Sequence, residues 1–123
     1  MGEDTGEKIW SFWMISEKIE EFVLCLREQR FYDAHEALEE VWFPRRFEKS
    51  DEMNLLKGFI NASVSFELFK RGREEQSKKV WLNYLKYRGL LFKVEGEYKN
   101  VYYQLSRHLE QINNHKTTVI VAK

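Results

Sequence analysis

Residues that interrupt helices are scarce in this sequence. It contains one proline and six glycines in 123 residues, and both residue types destabilise the interior of a helix. Hydrophobic residues make up 43% of the chain, which is enough apolar surface for one core at this length but not for two. We therefore predict one all-α domain over residues 1–123, a bundle of about five helices with a flexible segment at 1–6 and a tail at 114–123.

The chain also has a single cysteine, no net charge and no long apolar run. The single Cys25 excludes an internal disulfide and indicates an inert thiol in a reducing compartment. Twenty basic and twenty acidic residues cancel, so the chain lacks the positive charge of typical nucleic-acid-binding proteins. No apolar run approaches the roughly 18 residues of a membrane span, and the acidic residues 1–7 do not resemble a signal peptide. We predict a cytoplasmic protein without a membrane partner.

Hydrophobic periodicity predicts five helices, at about residues 7–29, 31–43, 50–72, 74–92 and 97–112. Ser50 or Asp51 is expected to cap the start of the third helix and Gly72 its end, while Pro44 stops the second. The fifth helix is predicted to bury Val101, Leu105, His108 and Ile112. The apolar, β-prone segment TTVIVA at 117–122 has three alternatives, which are packing on the bundle, pairing with another chain as an extended tail, and disorder.

Two of the predicted helices carry more apolar surface than one buried face requires. In the first helix, Trp10, Trp13 and Leu24 lie beside the main apolar stripe. The third helix has apolar stripes on two sides, and such a helix is either central in its bundle or covered by a partner. Exposed tryptophans also indicate a further contact. Both features predict a homodimer.

The stretch His35–Glu36–Ala37–Leu38–Glu39 differs by one letter from the H-E-x-x-H motif of helical zinc hydrolases. At about 100° per residue, His35 falls on the buried face of the second helix and Glu39 at the edge of that face. Glu36 points to solvent and does not share their pocket. The pair His35 and Glu39 supplies one nitrogen and one oxygen ligand, and a metal site needs at least one ligand more.

Three interpretations of this pair stay open. A histidine on an apolar face is most often a core residue that bonds a nearby acid, here Glu39, and this structural interpretation is favoured. The second is a small-ligand or acid/base pocket, with Trp42 as its lid or floor and Asn61 as a hydrogen-bonding wall. The third is a metal site at His35 and Glu39. The sequence has no Gly-rich phosphate loop and no Cys-x-x-Cys, so no cofactor is indicated.

The third helix also carries charged residues beside its apolar stripes. A carboxylate near a buried face must be paired, and the predicted partner of Glu67 is either Arg71, one turn further on, or a residue of a neighbouring helix. The basic segment 70–79 is the one local candidate for nucleic-acid binding, but we expect no nucleic-acid partner. We interpret that segment as a helix end and a solvated helix face.

An ordered set of residues resembles the family called domain of unknown function 309, over about residues 30–91. The first block comprises Phe31, Ala34, His35, Glu36, Glu39 and Trp42. The second block comprises Gly58, Ile60, Asn61, Ser63, Arg71 and Gly72. The resemblance implies a small all-helical prokaryotic protein with a polar cluster around His35, Glu39 and Asn61. It implies no established activity, so whether the protein is an enzyme stays open.

The chain departs from the family pattern at three places. Asn61 stands where members typically have glutamine, and Leu68 stands where they often have histidine. Residues 73–77 read REEQS, where members tend to have Asn-x-x-Gly-Ala. Losing the histidine at position 68 removes the most obvious further metal ligand. We therefore expect a protein that binds a small ligand or a metal around the motif, or alternatively a homodimeric interaction module in which the cluster only anchors the core.

Overall fold

A computed structural model describes the backbone of residues 2–120 and the side chains of residues 14–120. The elements in this range are all helical, as predicted, and they are α1 Gly2–Arg27, α2 Phe31–Trp42, α3 Asp51–Lys70, α4 Glu74–Arg88, α5 Lys99–Asn114 and α6 Lys116–Val119. Two 3₁₀ turns, Phe43–Arg45 and Gly89–Phe92, follow α2 and α4. Within residues 2–120, every helix is too short or too polar to cross a lipid bilayer.

Local capping chemistry fixes the ends of α3. The hydroxyl of Ser50 accepts a hydrogen bond from the Met53 amide at 3.1 Å, which satisfies one of the free amides of the first turn. At the other end Gly72 has φ +80°, a left-handed conformation that glycine adopts without strain. The Arg73 amide then donates to the Leu68 carbonyl oxygen at 2.9 Å. Both predicted caps, Ser50 and Gly72, are confirmed.

Helix α3 is the central element of the bundle. It packs between α2 and α4 and also contacts α5. Side chains from both of its apolar faces are fully buried, among them Met53, Leu55, Phe59 and Phe66. Because neighbours within the same chain cover both faces, α3 gives no support to the predicted homodimer. The side chains of Trp10 and Trp13 lie outside the described residues, and Leu24 is half exposed.

Helix α5 is rotated relative to the expectation from its sequence. Leu105 and Ile112 are buried as predicted, but Tyr102, Ser106 and Leu109 complete the buried face. Val101 and His108 lie at its edge. The buried face includes Leu109, an apolar residue that the predicted face omitted. On the same side of the helix, the Tyr84 hydroxyl of α4 bonds both Ser106 and Glu110 of α5.

The C-terminal segment packs on the bundle as far as residue 120. Residues Lys116–Val119 form a short helix rather than a strand. The Gln29 side-chain amide at the end of α1 donates to the Val119 carbonyl oxygen at 2.6 Å, and Ile120 is buried. Of the three alternatives for the tail, packing therefore holds for residues 116–120. The backbone of α1 is helical from Gly2, whereas the side chains of the predicted flexible segment 1–6 lie outside the described part.

Candidate functional site

His35 and Glu39 form a contact pair on one face of α2. The imidazole Nε2 of His35 lies against the Oε2 atom of Glu39, one helical turn further on. A carboxylate only accepts hydrogen bonds, so Nε2 carries the proton and the Nδ1 atom of a neutral His35 is an acceptor. Nδ1 is buried and has no hydrogen-bond partner among the described residues. The i, i+4 pairing expected from the sequence is therefore present, with one imidazole nitrogen unused.

Glu67 of α3 presents a second unused acceptor. Its side chain is 13% exposed. Its Oε1 atom lies 3.5 Å from Nε of Arg71, which confirms the predicted pair. Its Oε2 atom is buried with no hydrogen-bond partner within the described part of the chain. A buried carboxylate oxygen that has lost water without gaining a partner destabilises the protein, so its surroundings bear on function.

His35 and Glu67 line the same cleft between α2 and α3. The cleft has a volume of about 270 Å³. Its apolar lining consists of Phe31, Val64 and Leu68, and its remaining lining residues are Tyr32, Arg71 and Arg73. We call it the α2–α3 cleft. It combines apolar walls with a few convergent polar groups, which is the usual make-up of a small-molecule site.

A second, wider and more open cleft also has His35 in its lining. Its volume is about 580 Å³, and the residues that line it in addition to His35 are Met14, Tyr32, Glu36, Glu39, Glu40, Phe43 and Pro44. Three of these are glutamates, so this second cleft is strongly acidic. Glu36, which the helical wheel placed on the solvent side, faces this opening rather than the α2–α3 cleft. His35 and Tyr32 thus line two clefts of different chemistry.

Trp42 and Asn61, the other two predicted site residues, line neither of these two clefts. Both instead lie around Lys57. Its Nζ atom is 5.9 Å from the centre of the Trp42 ring, and its carbonyl oxygen accepts a hydrogen bond from Asn61 Nδ2 at 2.8 Å. The Asn61 Oδ1 atom accepts from Asn83 of α4 at 3.4 Å. The polar side chains that line the α2–α3 cleft beside His35 therefore include those of Glu67 and Arg71 and not those of Trp42 and Asn61.

The family model for a domain of unknown function (DUF309) matches residues 19–80. That match covers half of the chain. The protein belongs to this family. No curated protein and no solved structure matches the chain. The matched segment includes α2, α3 and the turn after α3, and with them every residue that lines the α2–α3 cleft.

The donor set around His35 does not complete a metal site. Among the side chains of residues 14–120, no group of three histidine, cysteine or acidic residues lies close enough together to hold a metal ion. A structural or catalytic zinc requires three or more protein ligands. Leu68 lines the α2–α3 cleft together with His35 and Glu67, and this position adds apolar surface rather than a metal ligand.

Sequence reasoning identified Glu67 as a residue that needs a partner but did not assign it to the site. The missed signal is the spacing of Val64, Glu67, Leu68 and Arg71, which recur at i, i+3, i+4 and i+7. Residues at this spacing share one face of a helix. Only the packing of α3 against α2 shows that this face meets His35.

Proposed function

We propose that this protein binds a small molecule in the α2–α3 cleft, with His35 and Glu67 as its principal polar contacts. The observation that carries the proposal is the pair of buried acceptors, His35 Nδ1 and Glu67 Oε2, on two residues of one cleft. Buried polar atoms nearly always have a hydrogen-bond partner in folded proteins. Leaving one unpaired costs about 1–3 kcal/mol, and a ligand that donates to both atoms, once the two side chains rotate toward the cleft, recovers this free energy.

Glu39 has a positioning role in this proposal. Its carboxylate holds the Nε2 proton of His35 and fixes the orientation of the ring. A carboxylate that binds one nitrogen of a histidine makes the other nitrogen a better acceptor and a better base. Nδ1 is then directed to the ligand, either as a hydrogen-bond acceptor or as a general base.

The test is a screen of small amines, alcohols, carboxylic acids and amino acids by saturation-transfer NMR. Compounds that bind should lose their signal with His35→Ala and with Glu67→Gln. His108→Ala is the matched control, because His108 Nε2 is also buried and unpartnered among the described residues. His108 lines a separate cleft of about 170 Å³ between α1 and α5. Binding to the control variant should be unchanged.

The same variants distinguish binding from a purely structural role. If His35 only anchors the core, His35→Ala should lower the free energy of unfolding by about 1–3 kcal/mol and no compound should bind the wild type. The proposal is wrong if no compound binds, or if those that bind are unaffected by both His35→Ala and Glu67→Gln. Urea unfolding of each variant, followed by circular dichroism, separates loss of a contact from loss of the fold.

A second candidate function is self-association through the outer faces of α1 and α4. On α4, Leu82 is 62% exposed, and Leu85, one turn further on, is exposed beside it. Lysines flank this apolar strip at positions 78, 79 and 86. On α1, Leu24 is half exposed, with glutamates one and two turns before it at positions 20 and 17. The opposite charges around Leu24 and around the Leu82–Leu85 strip favour contact between α1 of one copy and α4 of another.

Light scattering at micromolar concentration tests this second candidate. The wild type should show a mass above that of the monomer, and Leu82→Glu should return it to the monomer mass. Gln76→Glu, at another exposed position near the start of α4, is the control for added negative charge and should leave the mass unchanged. A monomeric wild type would rule out this mode of association.

A further inference from the structure

The α2–α3 cleft presents three kinds of surface close together, and their arrangement restricts the ligand. The unused acceptors of His35 and Glu67 form the first. The guanidinium of Arg71, next to Glu67, is the second. The apolar side chains of Phe31, Val64 and Leu68 are the third. Each surface selects a chemical group, and the three groups together identify a class of molecule.

The two acceptors select an ammonium group. Glu67 Oε2 belongs to a carboxylate and only accepts, and His35 Nδ1 accepts when the imidazole is neutral, with its one proton on Nε2 against Glu39. A hydroxyl has one proton and serves one acceptor at a time, and a carboxylate has none. An ammonium has three N–H donors and a positive charge that complements the carboxylate of Glu67.

Arg71 selects a carboxylate in the immediate neighbourhood of that ammonium. Its Nε atom is 3.5 Å from Glu67 Oε1, longer than the roughly 2.7–2.9 Å of a charge-assisted hydrogen bond. The Arg71 side chain is also 54% exposed, so most of the five N–H donors of its guanidinium are available to a ligand. Arg73 lines the same cleft and adds a second cation. Because Arg71 adjoins Glu67, the anionic group of the ligand must lie close to its ammonium.

The apolar walls and the volume of the cleft restrict the polarity and the size of the rest of the ligand. Phe31 is fully buried, and Val64 and Leu68 lie across from it on α3. About 270 Å³ is at or below the low end of the roughly 300–1,000 Å³ typical of ligand pockets, which suits one small metabolite. We infer that the ligand is a free α-amino acid with an aliphatic side chain, an inference that rests on the small-molecule function proposed above.

Three matched probes test this inference by isothermal titration calorimetry at neutral pH. L-leucine carries both charged groups. Isopentylamine is leucine without the carboxylate, and 4-methylpentanoate is leucine without the ammonium. Leucine should bind most tightly, and each truncated probe should bind at least about tenfold more weakly, since each loses a charge-assisted contact.

Two variants assign the contacts. Glu67→Gln should abolish the advantage of leucine over 4-methylpentanoate, because the ammonium loses its carboxylate partner. Arg71→Gln should abolish the advantage of leucine over isopentylamine. Arg107→Gln is the control, since Arg107 is exposed on α5 and lines neither cleft beside His35. It should bind all three probes as the wild type does. Amide NMR spectra establish that each variant is folded.

The outcomes separate the ligand class from the proposed function. If isopentylamine or 4-methylpentanoate binds as tightly as leucine, and binding still depends on His35 and Glu67, the amino-acid inference is wrong and the small-molecule function stands. The same holds if leucine does not bind while other compounds of the NMR screen do. If neither these probes nor any compound of that screen binds at the cleft, both proposals are overturned.

Discussion

Ser65 of α3 and Ser77 of α4 exchange hydrogen bonds across the interface between the two helices. The hydroxyl of each donates to the main-chain carbonyl oxygen of the other, at 2.7 Å in both directions. Both side chains are buried. Their small size lets the two helices approach closely, and their reciprocal bonds satisfy hydroxyls that would otherwise be buried without partners.

Ser77→Ala removes one bond of this exchange and should lower the free energy of unfolding by about 1–2 kcal/mol. Urea denaturation measures the change. Ser63→Ala is the control, because the hydroxyl of Ser63 is equally buried but bonds the Ile60 carbonyl oxygen within its own helix. The loss at Ser63 should be smaller. Equal losses of unfolding free energy at positions 63 and 77 would mean that the hydrogen bonds between the helices add no stability beyond that of the buried side chains.

Gly58 lies where α3 passes closest to Tyr87 of α4. A Cβ atom at position 58 would lie 2.9 Å from the Cβ of Tyr87, so Gly58→Ala must push the two helices apart. We expect a net loss of about 1–3 kcal/mol in unfolding free energy, although alanine is the better helix former. The midpoint of thermal or urea unfolding measures the effect.

Gly89→Ala is the matched control for Gly58→Ala. Nothing lies within 4 Å of an added Cβ at position 89, and its φ of −61° suits alanine. This substitution should stabilise the protein by about 0.4–1 kcal/mol, because it restricts the unfolded chain. Losses of similar size at both glycines would show that close packing against Tyr87 is not the cause.

Glu110 makes the stability of the protein depend on pH. Burial opposes its ionisation, but hydrogen bonds from Arg88, Tyr84 and Ser106 outweigh burial and lower its pKa. The Arg88 and Tyr84 contacts measure 2.6 and 2.8 Å. Since the folded-state pKa is below the unfolded value of about 4.3, ionised Glu110 stabilises the fold fully above that value. Its contribution is lost as the pH falls through the folded-state pKa.

Urea unfolding of the wild type and of Glu110→Gln between about pH 7 and pH 3 tests this dependence. The wild type should be the more stable protein near neutral pH, and the difference should shrink as the pH falls. Glu97→Gln is the control, because Glu97 is exposed before α5 and should show little effect at any pH. A difference between wild type and Glu110→Gln that stays constant with pH would contradict the role of ionised Glu110.

The thiol of Cys25 should be unreactive in the folded protein. Cys25 is buried in the core, and burial raises its pKa above the usual value, so little thiolate forms near neutral pH. Its reaction with a disulfide reagent such as DTNB should be slow under native conditions and complete within minutes in about 6 M guanidinium, where the core is open. A rapid native reaction would show that the core around Cys25 opens readily.

Local features of the fold and of the site were predictable because they depend on residues near each other in the chain. His35 and Glu39 meet because positions four apart share a helix face. Ser50 caps the start of α3 by accepting a hydrogen bond from the amide three positions on. Gly72 ends α3 because the backbone there takes a left-handed conformation, which glycine adopts readily. Each of these relationships is complete within one helix or at its end, so the sequence contains all the groups involved.

Relationships between helices depend on rotation and were not predictable in the same way. The expected face of α5 included His108, whereas the observed face buries Leu109 and Ser106, whose hydroxyl bonds that of Tyr84 of α4. Asn61, expected beside His35, bonds its own helix and Asn83 of α4. A rotation of a helix by a few tens of degrees about its axis changes which side chains face the neighbouring helix. Hydrophobic periodicity does not predict the rotation angle with that precision.

The sequence by itself determined that the protein is helical, where α3 begins and ends, and that His35 and Glu39 form a pair. These outcomes follow from backbone propensity, capping and the period of the helix. The tertiary structure alone decided that Glu67 and Arg71, rather than Trp42 and Asn61, line the α2–α3 cleft beside His35. That choice comes from the packing of α2 against α3, in which the shapes of many side chains jointly set which faces meet.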